Sequence, residues 1–420
     1  MMNPTWKSRF FAVFTGCKGL VSIVAAGVLF AAPVFAGPSS AAPQHWVATW
    51  CTSASLPRAT EAERVRDHFI LHDATLREIV HTTLGGPQVR VRLSTAFGAV
   101  PVRIVSASIL SRSGTVRPLT FAGKPSFTIP ANAVVVTDPV AMDIPADSDL
   151  AINLYLHGPI NAAAIHYAAS QISTIEPSDQ TRSTVWPSSG EGTHFLHWAF
   201  LAGVDVTAPD SATTIVALGD SITDGVHSTV DANHRWPNDL FRRLQSAGRT
   251  DLSVVDAGIS GNRLITDAAP SSGVSAISRF DRDVLAQPGV RTVIVLEGIN
   301  DIGHAAPGSL SSADLIAGLA QLAERAHEMG LRIYGATLTP DGGAKRGYYT
   351  AETEGIREGY NAWIRSTTLL DGVIDFDKAT RDPAHPQNFL PAYDSGDHLH
   401  PNDAGYQAMA DAIPLSYFAR

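Results

Sequence analysis

The feature that most limits the fold is a regular alternation, from about residue 209 to residue 420, of short apolar runs with amphipathic helical patterns. Residues 214–218, 253–257, 292–296, 331–338 and 372–376 have the length and β-branched content of buried parallel strands. Between them Trp236, Leu240, Phe241 and Leu244 share one helical face, as do Leu315, Leu319, Leu322 and Ala326, with Gly330 placed to end the second helix. Such alternation predicts a three-layer α/β/α sandwich around a parallel sheet. In sheets of this kind the reacting groups lie beyond the carboxyl ends of the strands.

The first strand runs into Gly219-Asp220-Ser221-Ile222-Thr223-Asp224-Gly225. Gly219 permits a tight turn, and the helical turn that follows can aim free N–H groups at a developing negative oxygen, which is how a serine nucleophile is mounted. Ser221 could also be no more than an N-cap, a position both Ser and Asp favour. The second strand ends near Gly261, which can offer a backbone N–H without an obstructing side chain, and the third near Asn300, which can turn an amide inward. After the last strand, Asp397 and His400 are three residues apart, a spacing that lets the carboxylate reach one imidazole nitrogen and leave the other free as a base for Ser221. His398 is the rival base two residues earlier.

Residues 44–208 carry a different period. Val89, Val91 and Leu93 alternate with Arg90, Arg92 and Ser94, and Leu150, Ile152, Leu154 and Leu156 alternate with Ala151, Asn153 and Tyr155, which predicts strands with one buried and one wet face. Turn signals such as Leu84-Gly85-Gly86-Pro87 follow at short spacing and no long helical pattern intervenes, so an antiparallel β-sandwich or jelly roll is expected here, ahead of the catalytic domain at 209–420. Trp46, Trp50, Trp186 and Trp198 are either core residues or a stacking surface for sugars. His166, His194 and His197 show no metal-ligand spacing and are read as ordinary hydrogen-bonded histidines.

Residues 1–36 have the form of a secretory signal peptide: Lys7, Arg9 and Lys18, an apolar run from Gly19 to Ala32, then small residues around Ala36. The long apolar run follows Cys17 rather than preceding it, so no lipid anchor is expected. Removal of the leader takes away three basic residues and no acid, moving the net charge from −9 to −12. That acidity argues against nucleic acid and anionic membranes as partners. Cys51 is then the only cysteine, which excludes an intrachain disulfide and a thiolate metal cluster.

Gly219-Asp220-Ser221, Gly261 within Ile259-Ser260-Gly261-Asn262, Gly298-x-Asn300-Asp301 and Asp397-x-x-His400, in this order, resemble the four blocks of the SGNH hydrolase superfamily, the GDSL esterases and lipases. Ile222 stands where the name-giving pattern has Leu, a change outside the chemistry. The β-rich first half also resembles the leading domain of some large secreted bacterial members. The resemblance implies an SGNH or flavodoxin-like sheet and ester hydrolysis through an acyl-enzyme. Ser221 would be the nucleophile, His400 the base and Asp397 its orienter. The N–H groups of Ser221 and Gly261 and the amide of Asn300 would form the oxyanion hole, with no cofactor and no metal. Short acyl esters of carbohydrates are the expected substrates. A lipase, lysophospholipase or arylesterase is the alternative within the enzymes, and a non-catalytic carbohydrate-binding protein the alternative outside them.

Overall fold

The computed structural model describes residues 44–58, 60–187 and 192–419, and the expected signal peptide lies outside them. The described residues form a single compact unit. Its second half holds a five-stranded parallel sheet of Thr213–Gly219, Leu252–Gly258, Val290–Leu296, Arg332–Ala336 and Gly372–Ile374, ordered second, first, third, fourth, fifth. The chain therefore reverses its direction of winding at the first strand, and the crevice at that switch point is where such sheets bind ligands. The helix Trp236–Ser246 packs on Asp403–Ala412, and Ser312–Glu328 on Ala351–Ser366, giving the two helical layers.

The helical faces are those the periodicity predicts, with Trp236, Leu240, Phe241 and Leu244, and likewise Leu315, Leu319, Leu322 and Ala326, all buried. Gly330, at φ +68°, ends its helix as a Schellman motif: its N–H donates to the His327 carbonyl and that of Leu331 to Ala326.

The first half is all antiparallel. One sheet has Ile70–Thr82, Ser148–Asn161 and Val102–Ser111 at its centre, and the other has Trp46–Cys51, Leu201–Thr207 and Gly86–Ser94. Val89, Val91 and Leu93 from one meet Ile152, Leu154 and Leu156 from the other in a shared core, as in a β-sandwich.

The expected wet faces are not wet. Arg92 and Ser94 are buried, and Arg92 reaches across to the second half, where its Nη2 donates to Gln287 Oε1 at 2.6 Å. Asn153 is buried too, accepting from Arg77 Nε at 3.0 Å, and Ala151 packs with Ile79, Leu110 and Trp186. Period two reports that two faces differ in polarity; it carries no information about a second layer covering the polar one.

Polar contacts lock the halves together. Ser253 Oγ donates to the Ala48 carbonyl at 2.5 Å, Cys51 Sγ lies 3.3 Å from the Asp256 carbonyl, and Ala48 and Cys51 belong to the core of the α/β half. Burial pushes the Cys51 thiol far above its ordinary range, so it is an inert packing residue.

The strand ends are joined by one fully buried side chain. Arg279 donates to the carbonyls of Gly219 (2.9 Å) and Ala257 (2.6 Å), to Asn262 Oδ1 (2.8 Å) and Ser53 Oγ (3.2 Å), and forms an ion pair with Asp283 (3.1 Å). Arg279→Met removes this buried donor from all four acceptors and leaves Asp283 with Arg282 as its ion-pair partner, and a loss of about 3 kcal/mol in unfolding free energy is expected from the urea midpoint.

Candidate active site

Gly219, the last residue of the strand Thr213–Gly219, sits where no side chain fits: a Cβ there would run into the Thr223 side chain and the Leu296 carbonyl. A single helical turn, Ser221–Asp224, follows. Asp220 is its N-cap, accepting from the Ile222 N–H at 2.9 Å, so Ser221 is the first helical residue and not the cap. Gly225, at φ +81°, closes the turn.

Ser221 Oγ lies 2.8 Å from His400 Nε2, and His400 Nδ1 donates to Asp397 Oδ2 at 2.6 Å. Asp397 Oδ1 accepts from the N–H groups of His400 and Leu399, both at 2.9 Å, and from Ser395 Oγ at 3.1 Å. Burial tends to raise the Asp397 carboxyl, but the His400 ring and these N–H donors outweigh it and hold the group well below the usual carboxylate range. Asn402 fixes the loop, capping the helix Asp403–Ala412 while its amide donates to the Ala392 and Asp394 carbonyls. His398 does not reach Ser221; it is half-exposed and its Nδ1 pairs with Asp394 at 2.6 Å.

The two remaining blocks are tied to each other. Asn300 Nδ2 donates to the Asn262 carbonyl at 2.9 Å, beside Gly261, which takes φ +79°. Asp301 accepts from the N–H groups of Leu264 (2.6 Å) and Ile265 (3.1 Å), so it clamps the same loop. Gly298, at φ +127°, makes the turn that brings Asn300 and Asp301 inward.

Four further residues join the site, among them His166, which is hydrogen-bonded as its reading from the sequence expects. Tyr348 Oη donates to Asn300 Oδ1 at 2.6 Å, and burial, reinforced by Asp220, pushes its phenol up to about 12, so it remains a donor. His166, from the β-rich half, is buried with Nε2 2.9 Å from Asp224 Oδ1, while Asp224 Oδ2 accepts from the Ser260 N–H at 3.0 Å. Arg279 is described above. His227 Nε2 lies 3.2 Å from Asp397 Oδ2. For Tyr348 and His166 no local pattern gives a signal; His227 is two residues beyond Gly225, and Arg279 opens the charged stretch Arg279-Phe280-Asp281-Arg282-Asp283, in which nothing sets it apart.

Among the described residues, His227, Asp397 and His400 are the group whose ligand atoms lie close enough together to hold a metal ion. A cleft of about 490 Å³ beside them is lined by Lys345, Arg346, Tyr348, Asp397, His398 and His400. It adjoins a hollow of about 650 Å³ lined by Ile302, Ala305, Pro307, Leu310, Arg346 and Ile356. The tryptophans do not face these spaces. Trp50 and Trp198 are buried edge to face at 4.9 Å, and Trp46 and Trp186 are each covered by an arginine, Arg90 and Arg112.

Behind Ser221 lie buried carboxyl groups whose ionisation burial disfavours. Burial raises the Asp220 carboxyl to about 7, against the Ile222 N–H and His400, which pull it down. Burial also lifts Glu297, helped by Asp220, well above its ordinary range, and neither of its oxygens has a hydrogen-bond partner.

Residues 217–408 match the GDSL-like Lipase/Acylhydrolase family. No curated protein matches the chain. Solved structures with similarity include a GDSL-like lipase from Bacteroides thetaiotaomicron (17% identity, 50% of this chain and 90% of that one, TM-score 0.38). An acetyl xylan esterase matches at 21% identity over 47% of this chain and 96% of its own, TM-score 0.37. A carbohydrate acetylesterase family member from Sinorhizobium meliloti matches at 17% identity over 48% and 94%, TM-score 0.38.

Glu297 supplies a pH test of this electrostatic account. Its folded pKa is raised, so the folded chain holds a proton that the unfolded chain releases above about pH 4.3, and stability falls as pH rises through that window by roughly 1.4 kcal/mol per pH unit. Glu297→Gln removes this contribution. Thermal unfolding is expected to show the variant gaining on the parent as pH rises above about 5; a constant difference would contradict the raised pKa of Glu297.

Proposed function

With residues 217–408 forming a GDSL-like lipase/acylhydrolase domain, we propose that the protein is a secreted serine esterase that cleaves short acyl groups, acetyl above all, from carbohydrate alcohols. Carboxylic ester hydrolysis is the chemistry of the family. The observation that carries the mechanism is the unbroken relay from Ser221 Oγ through His400 to Asp397. Ser221 Oγ attacks the ester carbonyl carbon as its proton passes to His400 Nε2, and Asp397 stabilises the imidazolium. The alcohol leaves with that proton. Water then attacks the acyl-enzyme, gives a proton to His400, and Ser221 recovers it as the acid departs.

The oxyanion would lie among the N–H groups of Ser221 and Gly261 and the Asn300 amide. Tyr348 acts on the last of these, because its hydroxyl holds Asn300 Oδ1 and so fixes which way the amide points. The cleft beside the relay favours a hydroxyl-rich alcohol, since Lys345, Arg346, Tyr348 and His398 line it with donors. The buried and arginine-covered tryptophans lend no support to sugar stacking on the β-sandwich. The adjoining hollow, with Ile302, Ala305, Pro307, Leu310 and Ile356, favours a second reading in which an aryl or longer acyl group is accommodated. Export rests on the leader-like residues 1–36; the mature protein recovered from outside the cytoplasm would then begin near Gly37.

Acetate release from an acetylated plant polysaccharide, compared with hydrolysis of aryl esters and lipid emulsions, tests the substrate. A higher kcat/KM on the polysaccharide is expected, and a higher value on long-chain lipid esters would replace this reading with the lipolytic one. Ser221→Ala is expected to fold normally and to lose up to about 10⁶ in kcat. Tyr348→Phe is expected to lower kcat by up to about tenfold, the scale of one hydrogen bond, with KM little changed.

A further inference from the structure

The carboxylate that orients His400 faces a second imidazole. His227 Nε2 is 3.2 Å from Asp397 Oδ2, the same oxygen that takes the His400 Nδ1 hydrogen bond, and the two rings meet edge to face at 5.5 Å. His227 is held there. Its backbone is left-handed, at φ +68°, and the segment on either side is fastened to the helix that follows His400. Tyr406 Oη donates to the Val226 carbonyl at 2.6 Å, and Thr229 donates to Asp403 through its N–H (2.8 Å) and its hydroxyl (2.5 Å).

Two imidazoles and a carboxylate around an open position are a donor set suited to zinc. In a tetrahedral zinc site with bonds of roughly 2.0–2.1 Å, neighbouring ligand atoms lie roughly 3.3 Å apart, and the His227–Asp397 separation of 3.2 Å already has this value. The His400–Asp397 separation of 2.6 Å does not, because a proton occupies it. The site opens to solvent, with side-chain exposures of 51% for His227 and 37% for Asp397.

We infer that His227, Asp397 and His400 form an inhibitory binding site for zinc-class divalent ions, in which the metal competes with the proton on His400 Nδ1. On binding, that proton leaves to solvent and the nitrogen lone pair takes the metal, with no change in oxidation state. Asp397 Oδ2 and His227 Nε2 supply the other two bonds, and water completes the shell. The His400 ring must swing away from Asp397 by roughly 0.7 Å to reach a ligand spacing. That movement breaks the Nδ1–H bond by which Asp397 orients the ring, and the metal's charge lowers the basicity of Nε2 that the serine, now 2.8 Å away, needs.

The test uses the full chain stripped with EDTA and titrated with buffered free Zn²⁺. The parent protein is expected to lose ester hydrolysis in a saturable, one-site manner that EDTA reverses, whereas Mg²⁺, a hard ion that dehydrates reluctantly, leaves it active. In His227→Ala, whose exposed side chain supports no core, the inhibition constant is expected to rise at least about tenfold, the scale on which losing even an outer partner weakens a metal site. His398→Ala, which removes the neighbouring exposed imidazole, is expected to keep the parent's constant. Equal zinc inhibition of the parent and His227→Ala would overturn the inference. Because this readout rests on the esterase reading, equilibrium dialysis of zinc against Ser221→Ala gives an independent one. One zinc per chain, lost on adding His227→Ala, supports the site whatever the substrate; no binding overturns it even in an active enzyme.

Discussion

The buried guanidinium of Arg279 is the interaction on which the arrangement of the reacting groups depends. Ser221 hangs from one strand and the Gly261 loop from its neighbour, and strands in a parallel sheet are joined to each other only along their length. Beyond their ends each loop would be independent. Arg279 removes that freedom by donating to the last carbonyl before Asp220, to the Ala257 carbonyl one strand over, and to Asn262 beside Gly261. Asn300 and Asp301 then fasten the third strand end to the same loop. The mutual positions of Ser221, Gly261 and Asn300 are thus set by hydrogen bonds to buried groups, whose loss is far costlier than that of surface contacts.

The β-rich half belongs to this framework. Ser53 accepts from Arg279, and its carbonyl lies 3.1 Å from His166 Nδ1, while the other nitrogen of His166 reaches Asp224 in the nucleophile turn. Asp224 in turn holds the Ser260 N–H, next to Gly261. Two short segments from the first half therefore stand behind the loops that carry Ser221 and Gly261. The sandwich supports the geometry of the site from within the fold, a role separate from any binding of substrate on its own surface.

The same region carries an electrostatic cost. Asp220, Glu297 and Asp301 are buried close to one another and all are raised, burial being the main cause. Asp301 offsets its burial with two N–H donors, but Glu297 has no partner. Asp397, in contrast, is partly exposed, collects donors from His400, Leu399 and Ser395, and stays ionised. The contrast matches what acyl transfer needs: fixed negative charge beside the imidazole, and little of it behind the position where the oxyanion forms.

Much of this was legible in the sequence. The 3.6 and two-residue periods separate the α/β half from the β half, because each period records which residues of one element face the core. The positions of Ser221, Gly261 and Asn300 at strand ends, and of Asp397 and His400 in the loop that enters the last helix, were read from the sequence, and the three-residue spacing suffices to bring Asp397 onto His400. The tertiary structure alone decided the rest. It chose His400 over His398 by seating His398 on Asp394, and it covered the supposed wet face of Arg92 and Ser94. It also brought Tyr348 to Asn300, His166 to Asp224 and His227 to Asp397. Those contacts join residues 48, 58 and 170 positions apart. Local pattern determines what each segment can bury, whereas a partner at such separation exists only once the segments have packed.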